Sequence, residues 1–192
     1  MNTSTRYAAN STHMKILVLG GSKSGKSHIA QEITDSLAKG GTKYYWATME
    51  PVDDEDSARI EKHITDRDGW GFETIECGRN ICSKLPVGKN SSVLFDSVTA
   101  LLANEMFAGD THDINAHERV ASDLIELSDN VKNIVCVCDE IFRDGFCFDE
   151  LTEQYRHSLA LICRKLAEVF DAVYEVSCGI ITVRKGRLLF KL

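Results

Sequence analysis

The sequence predicts an α/β fold of three layers, in which a mostly parallel central sheet ends in an antiparallel C-terminal hairpin. Short apolar runs alternate along the chain with longer amphipathic stretches, as expected for strands that alternate with helices. The runs are continuously apolar, which is typical of parallel strands covered by helices on both faces. Near the end of the chain, the turn residues Lys185-Gly186 separate two such runs and predict antiparallel pairing there.

The strands are expected where apolar residues run without a break between polar or turn residues. The first run precedes a glycine loop over 20–25, and Asp96 and Asp139-Glu140 close two later runs. Carboxylates in these places are of interest because ligands gather at the carboxyl ends of parallel strands. The expected strands cover 15–19, 43–47, 72–76, 92–95, 133–138, 173–177, 180–183 and 187–191.

The helices are expected between these strands, and each has a signal of its own. Gly40-Gly41 ends the first helix, and the acidic first turn of the second suits the helix dipole. The last helix carries a regular apolar stripe, which comprises Leu151, Tyr155, Leu159, Ile162, Leu166 and Val169. The expected helices cover 26–39, 53–66, 98–107, 117–128 and 149–170.

A phosphate-binding motif lies between the first strand and the first helix. The glycines let backbone N–H groups point at phosphate oxygens, Lys26 would contact the β- and γ-phosphates, and Ser27 would supply a hydroxyl to Mg²⁺. The setting between a strand and a helix predicts a purine nucleoside triphosphate site. The motif alone leaves kinases, GTPases and ATPases open, and we expect a P-loop NTPase fold of the RecA-like type. The motif consists of Gly20, Gly21, Ser22, Lys23, Ser24, Gly25, Lys26 and Ser27.

A second ligand for Mg²⁺ is expected from a carboxylate at the end of another strand. Asp96 and the pair Asp139-Glu140 are both candidates, because both directly follow buried runs. Either could instead be a simple strand-end cap.

The composition indicates an ordinary globular protein, with 43% hydrophobic and 27% charged residues. The net charge is −7 and Lys and Arg do not cluster, so we expect no nucleic-acid partner. Residues 1–13 are polar and are expected to be a disordered extension, with a single P-loop domain over 14–192. No run is long enough to span a membrane, and nothing resembles a signal peptide.

The cysteines are expected to be reduced and mostly buried, as in a cytoplasmic protein. There are seven of them, and none forms a C-x-x-C pair. Cys136 and Cys138 are two residues apart in an expected strand, so both should lie on one face of the sheet.

Several further motifs resemble one known family. After the P-loop come Tyr45-Trp46-Ala47-Thr48, Asp53-Asp54-Glu55 and the run 58–67, in which Ala58-Arg59-Ile60 precede His63 and Arg67. The chain then shows Thr74-x-Glu76, the run 94–99, Asn104, Glu140 and Tyr155-Arg156. Together these resemble the bifunctional adenosylcobinamide kinase/adenosylcobinamide-phosphate guanylyltransferase family of cobalamin assembly, over nearly all of 14–185.

The resemblance implies a site and a chemistry. It implies GTP and ATP as substrates, a corrinoid acceptor, Mg²⁺ and a homo-oligomer, which is a trimer by analogy with the family. The resemblance also implies that His63 is the histidine that carries GMP, and the chemistry agrees, since a neutral imidazole can attack an α-phosphate. The implied nucleotide contacts, besides the P-loop, are Ala47, Thr48, Met49, Ile64, Thr65, Asp66, Arg67, Glu76 and Asp96.

The spacing around His63 adds a prediction of its own. Arg59 and Arg67 lie four residues on either side, so a continuous helix would place all three side chains on one face. Guanidinium groups there could stabilise charge on the α-phosphate. The other histidines that we considered have no such support and are expected to be surface residues; they are His28, His112, His117 and His157.

The chain departs from the family pattern in three places. The family's Asn-Glu-Val-Gly-x-Gly-x-Val-Pro loop is replaced by 139–146 without Val-Pro, and the motif at Tyr155-Arg156 continues differently. One extra residue lies between Arg67 and Glu76. These departures leave two alternatives open: a relative with one activity or another acceptor, and a nucleotide-binding regulator without catalysis. The presence of Lys26, Ser27 and His63 argues against the regulator.

Overall fold

The computed structural model describes residues 13–51, 53, 60–61, 64–65, 67–85, 87–109, 111–143 and 145–188. The described strands are β1 Met14–Gly20, β2 Lys43–Ala47, β3 Glu73–Glu76, β4 Ser92–Asp96, β5 Asn133–Asp139, β6 Ala172–Ser177 and β7 Ile180–Lys185. The described helices are α1 Lys26–Ala38, α2 Val98–Met106, α3 Ala116–Asp129 and α4 Glu150–Val169, with a 3₁₀ helix over Ile81–Lys84.

The strands form one sheet in the order β3-β2-β4-β5-β1-β6-β7. All neighbouring pairs are parallel except β6 and β7, which pair antiparallel. The strand that leads into the P-loop is therefore central, with β5 on one side and β6 on the other. The predicted parallel sheet with an antiparallel C-terminal hairpin is confirmed.

Helices cover both faces of this sheet and make two cores. Strand β1 alternates between them: Ile16 and Val18 pack against Ile29 and Ile33 of α1 on one face. Leu17 belongs to the opposite core with residues of α2, α3 and α4. Burying a side chain of this size stabilises a fold by about 1.5–3 kcal/mol, so each continuously apolar strand contributes to both cores. The three-layer prediction is confirmed.

Buried thiols contribute to the helix-rich core. Cys136 and Cys138 both face it, as their spacing predicted, and Cys138 Sγ lies 3.4 Å from Cys163 Sγ of α4. Burial raises the pKa of the Cys136 thiol, so this group stays protonated and unreactive. Cys147 and Cys178, in contrast, are exposed, and all seven cysteines are free.

The C-terminal hairpin turns at Cys178-Gly179, so the prediction of a turn at Lys185-Gly186 was wrong. Cys178 and Gly179 have φ values of 51° and 75°, as a two-residue hairpin loop of type I′ requires at both central positions. A Cβ on Gly186 would lie 2.6 Å from Asp171 O, so this glycine permits a close approach of two chain segments. Arg187 and Leu188 are not in a strand, and 189–191 lie outside the described residues.

Two predictions about helices need correction. Val169, predicted on the buried stripe of the last helix, is 45% exposed at its C-terminal end. In the predicted helix 53–66, the described residues 60–61 and 64–65 are helical, but Arg67 lies in the turn that follows. Arg67 therefore does not continue the helix face proposed for Arg59 and His63, both of which lie outside the described residues. None of the described helices has the length and apolar character needed to cross a membrane.

Candidate functional site

The phosphate loop leaves the N-terminus of α1 open to an anion. Gly25 precedes the helix with φ 92°, and no side chain of the described residues caps the first turn. No acidic residue lies in that turn. Unpaired N–H groups and the positive end of the helix dipole therefore face the loop, which is the arrangement that binds phosphate.

Contacts at both ends of the phosphate loop hold its backbone in place. A Cβ on Gly20 would lie 2.6 Å from both Ser24 Oγ and Val176 O, so the tight curl of the loop requires glycine there. On the other side, Gly179 N–H donates to Ser24 O at 2.9 Å and ties the loop to the β6–β7 turn. Ser24 Oγ is buried and has no hydrogen-bond partner in the part of the chain that the structure describes.

Lys26 is held inside this loop by two oxygens. Its side chain is largely buried, and Nζ donates to Gly21 O at 3.2 Å. The same Nζ lies 2.6 Å from Asp139 Oδ1 at the end of β5. The lysine predicted to contact phosphates is thus paired with a carboxylate at the end of the neighbouring strand.

Asp96, at the end of β4, has different neighbours. Tyr45 Oη donates to Asp96 Oδ2 at 3.0 Å, and the Arg67 guanidinium carbon lies 3.5 Å from the centre of the Tyr45 ring. Burial, followed by the negative charge of Asp96, raises the pKa of the Tyr45 phenol well above its usual value. The phenol therefore keeps its proton and acts as a donor to the carboxylate.

Two cavities meet at these residues. The first, which we call the Glu76 cavity, has a volume of about 420 Å³. The second, which we call the Ser27 cavity, has a volume of about 430 Å³ and is also lined by His28 and Gln31. Both are lined by Tyr45, Arg67 and Asp96. These three side chains therefore form the boundary between the Ser27 cavity and the Glu76 cavity.

The structure brings together many of the residues that sequence reasoning selected. Ala47, Met49, Arg67, Glu76 and Asp96 line the Glu76 cavity, while Ser27 shares the second cavity with Arg67 and Asp96.

Other selected residues lie elsewhere. Thr48 is fully buried, and its hydroxyl donates to Ser97 O at 2.9 Å and accepts from Ser97 N at 2.7 Å, so its side chain supports the β2–β4 edge. Ile64 and Thr65 are exposed and line neither cavity. His63 and Asp66 lie outside the described residues.

Asn104 of α2 joins two segments of the Glu76 cavity wall. Its Nδ2 donates to Thr48 O at 2.7 Å and to Gly78 O at 3.0 Å. A Cβ on Gly78 would lie 2.6 Å from Glu50 Oε1, so the wall is closely packed. Sequence reasoning noted Asn104 only as part of a motif, and it missed Glu50, Gly78 and the cavity position of His28. The signal for His28 was its place directly after Ser27.

Among the described residues, no group of three or more His, Cys, Asp or Glu side chains could hold a metal ion. Ser27 and Asp96 nevertheless line one cavity and offer a hydroxyl and a carboxylate. Mg²⁺ usually takes one or two carboxylates and completes its shell with phosphates and water. These donors fit that ion. Asp96 accepts from Tyr45 Oη, Asp139 is paired with Lys26, and Glu140 lies 2.8 Å from Arg143 Nη1.

A parallel sheet with this glycine loop at the N-terminus of α1 defines a P-loop nucleotide-binding protein. The sequence model of CobU, cobinamide kinase / cobinamide phosphate guanyltransferase, matches residues 16–183, and the chain belongs to this family. The family resemblance found in the motifs is thereby confirmed.

The chain is also similar to curated relatives of this family and, in its fold, to a solved structure. The chain is 27% identical over 180 residues to the bifunctional adenosylcobalamin biosynthesis protein CobU of Salmonella typhimurium, covering 87% of this chain and 97% of that protein. It is 34% identical over 97 residues to the Escherichia coli protein of the same name, covering 49% and 51% of the two chains. The ATPase domain of G40P superposes with a TM-score of 0.54 at 11% identity, covering 92% of this chain and 78% of that one. This likeness confirms the predicted RecA-like fold.

Proposed function

We propose that this chain phosphorylates adenosylcobinamide and transfers GMP from GTP to adenosylcobinamide phosphate in cobalamin biosynthesis. The observation that carries the proposal is the shared boundary of the two cavities at Arg67 and Asp96. This boundary joins the cavity that contains Ser27 of the phosphate motif to residues that the family motifs assign to the nucleotide. Family membership and the names of the curated relatives support the same activity.

The kinase step would depend on positioning. The phosphates of ATP or GTP would accept hydrogen bonds from the N–H groups of the loop. Lys26 would leave Asp139 and contact the β- and γ-phosphate oxygens instead. The hydroxyl oxygen of the aminopropanol arm attacks the γ-phosphorus, and the bond to the β–γ bridging oxygen breaks. The nucleoside diphosphate leaves and the hydroxyl proton passes to solvent. This step needs no nucleophile from the protein.

Ser27 and Asp96 would hold Mg²⁺ during this step. Both line the Ser27 cavity, and hydroxyl and carboxylate oxygens are the hard ligands this ion prefers. When bound, the ion would neutralise negative charge on the phosphate oxygens. Asp139 is the weaker candidate because its carboxylate already serves Lys26.

The guanylyl step would use His63 as the nucleophile. His63 lies outside the described residues, but Ile60 and Arg67 flank it in the chain and both line the Glu76 cavity. An imidazole nitrogen attacks the α-phosphorus of GTP, a P–N bond forms, and pyrophosphate leaves with the bridging oxygen. A phosphate oxygen of the acceptor then attacks the same phosphorus, the P–N bond breaks and the histidine is released. Arg67 could stabilise the charge on the α-phosphate.

A second candidate is a relative that acts on a different acceptor. In place of the family's Val-Pro loop, Arg143 pairs with Glu140 at 2.8 Å and with Glu175 of β6 at 3.1 Å. Phe146, in the same loop, is 75% exposed. A loop tied to β6 in this way would present a different surface to the acceptor.

The direct test supplies adenosylcobinamide with γ-labelled ATP or GTP and Mg²⁺, then adds α-labelled GTP, and separates the corrinoids by chromatography. We expect both labels to reach the corrinoid in turn. Transfer of the γ-label alone would indicate a relative with one activity. Nucleotide binding without transfer of either label would indicate a different acceptor or a non-catalytic regulator.

A further inference from the structure

Tyr45 lies where the two cavities and three chain segments meet. It belongs to β2, it is 6% exposed, and its ring is part of the core beneath α1 together with Leu94 of β4. Strand register places Tyr45 beside Leu94 and Ala47 beside Asp96. The phenol therefore runs from the core towards the carboxyl ends of the strands, where it lines both cavities.

The hydroxyl of Tyr45 orients Asp96. Tyr45 Oη donates to Asp96 Oδ2 at 3.0 Å, across the two paired strands β2 and β4. Asp96 lines the Ser27 cavity, so this donor helps to fix the orientation of its carboxylate at that cavity. Groups that orient a metal ligand in this manner typically contribute 10–100-fold to metal affinity or activity.

The ring of Tyr45 orients Arg67. The guanidinium carbon lies 3.5 Å from the ring centre, which is the distance of close stacking. Arg67 Nη1 is buried and has no hydrogen-bond partner in the part of the chain described. A buried donor without a partner is costly, so a ligand oxygen that accepts from Nη1 would be favoured. The chemistry of such a ligand is anionic, as in a phosphate.

We propose that Tyr45 is a positioning residue that orients two charged groups of the site, Asp96 and Arg67, with two separate parts of its side chain. Its hydroxyl aims the Asp96 carboxylate at Mg²⁺, and its ring face holds the Arg67 guanidinium towards a phosphate oxygen. The inference rests on the proposed nucleotide and Mg²⁺ site, and it adds a role for a residue that touches neither reacting atom.

Two substitutions separate the two parts. Tyr45→Phe keeps the ring and removes the hydroxyl, so GTP affinity in EDTA should stay within about twofold of wild type. The Mg²⁺ concentration that gives half-maximal strengthening of GTP binding should rise by about tenfold. Tyr45→Leu removes the ring as well, so GTP affinity in EDTA should also fall, by about tenfold. Calorimetric titrations with GTP, with and without Mg²⁺, measure both quantities.

Tyr44→Phe is the matched control, because Tyr44 is the neighbouring tyrosine of β2 and packs against the opposite core. It should change neither quantity, and thermal unfolding should show all variants folded at the assay temperature. If Tyr45→Phe weakened GTP binding equally with and without Mg²⁺, Tyr45 would be a general structural residue and the inference would be wrong. If Tyr45→Phe showed wild-type GTP affinity and wild-type Mg²⁺ dependence, the inference would be wrong but the proposed function would stand. A wild-type protein that bound no GTP would overturn the proposed function together with it.

Discussion

Asp96 and Asp139 end neighbouring parallel strands, yet their side chains have different partners. Asp139 Oδ1 lies 2.6 Å from Lys26 Nζ, and its backbone N–H donates to Thr99 Oγ1 at 2.8 Å. Asp96 accepts from a neutral phenol and lines both cavities. Asp139 thus pairs with the lysine of the phosphate motif, while Asp96 accepts from Tyr45 at the boundary of the two cavities.

The difference follows from strand order. Strand β5 lies directly beside β1, so a carboxylate at its end reaches the lysine that follows the loop. Strand β4 is one strand further away and lies beside β2, which brings Tyr45 to Asp96 instead. The two aspartates lie at equivalent strand ends but have different hydrogen-bond and charge partners, because different strands lie beside them.

The largest effect is expected at the lysine that distinguishes the two carboxylates. Lys26→Ala should reduce triphosphate affinity by more than about a hundredfold and stop kinase turnover, because a buried cation within the loop is lost. Calorimetric titration with GTP measures this. Lys165→Ala, at an exposed position of α4, is the control and should bind like wild type. Near-wild-type affinity in Lys26→Ala would contradict the assignment of the phosphate site.

The second-largest effect tests whether Asp96, at the end of β4, or Glu140, directly after β5, is the metal ligand. Asp96→Asn should lower Mg²⁺-dependent activity by more than about a hundredfold, beyond the usual range for groups that only orient a ligand. Nucleotide binding without Mg²⁺ should change little, because the loop is intact. Glu140→Gln is the matched change at the neighbouring strand. If Glu140→Gln gave this pattern and Asp96→Asn were silent, the metal carboxylate would be the one that directly follows β5.

A smaller effect of opposite sign is expected at Asp139. Asp139→Asn removes the carboxylate that competes with phosphate for Lys26, so GTP should bind more tightly, by about fivefold. The effect is modest because the Asp139 side chain is 30% exposed and solvent screens the pair. Competition binding against a fluorescent GTP analogue would detect it. Weaker binding would mean that Asp139 serves mainly to orient Lys26.

The smallest effect concerns a third aspartate, whose role is purely structural. Asp149 caps α4 by accepting from Thr152 N at 3.0 Å. Hydrogen bonds from the Thr152 side chain and backbone lower the pKa of this exposed carboxyl. Its contribution to stability is therefore present above the usual aspartate pKa and is lost as pH falls through the lowered value. Asp149→Ala should lower Tm by a few degrees at neutral pH and less in acid, with GTP affinity unchanged.

Much of the fold was predictable because local patterns coincide with tertiary structure. The bounds of the strand Lys43–Ala47 were predicted without error, and the glycine loop was placed between its strand and helix. The hairpin turn was misplaced because Cys178 adopts a positive φ that cysteine rarely shows, whereas Lys185-Gly186 has ordinary turn residues. The backbone conformation of Cys178 therefore set the position of the turn.

The site was less predictable because it depends on pairing between distant strands. Tyr45 and Asp96 are separated by 51 residues, and their contact exists because β2 pairs with β4. The salt bridge of Lys26 with Asp139 likewise depends on β1 lying beside β5. The family motifs supplied Asp96 and Arg67 as candidates, but their relation through the Tyr45 ring required the fold.

The central claim is most directly tested by covalent labelling with GTP. Wild-type protein mixed with α-labelled GTP and Mg²⁺, without acceptor, should gain a GMP label and release pyrophosphate. The label should be lost in acid and survive in alkali, as expected for a phosphoramidate. His63→Ala should remove the label and spare γ-phosphate transfer to adenosylcobinamide, while His157→Ala, at an exposed position of α4, should label like wild type. Unchanged labelling of His63→Ala, or an unlabelled wild type that still binds GTP, would contradict the account.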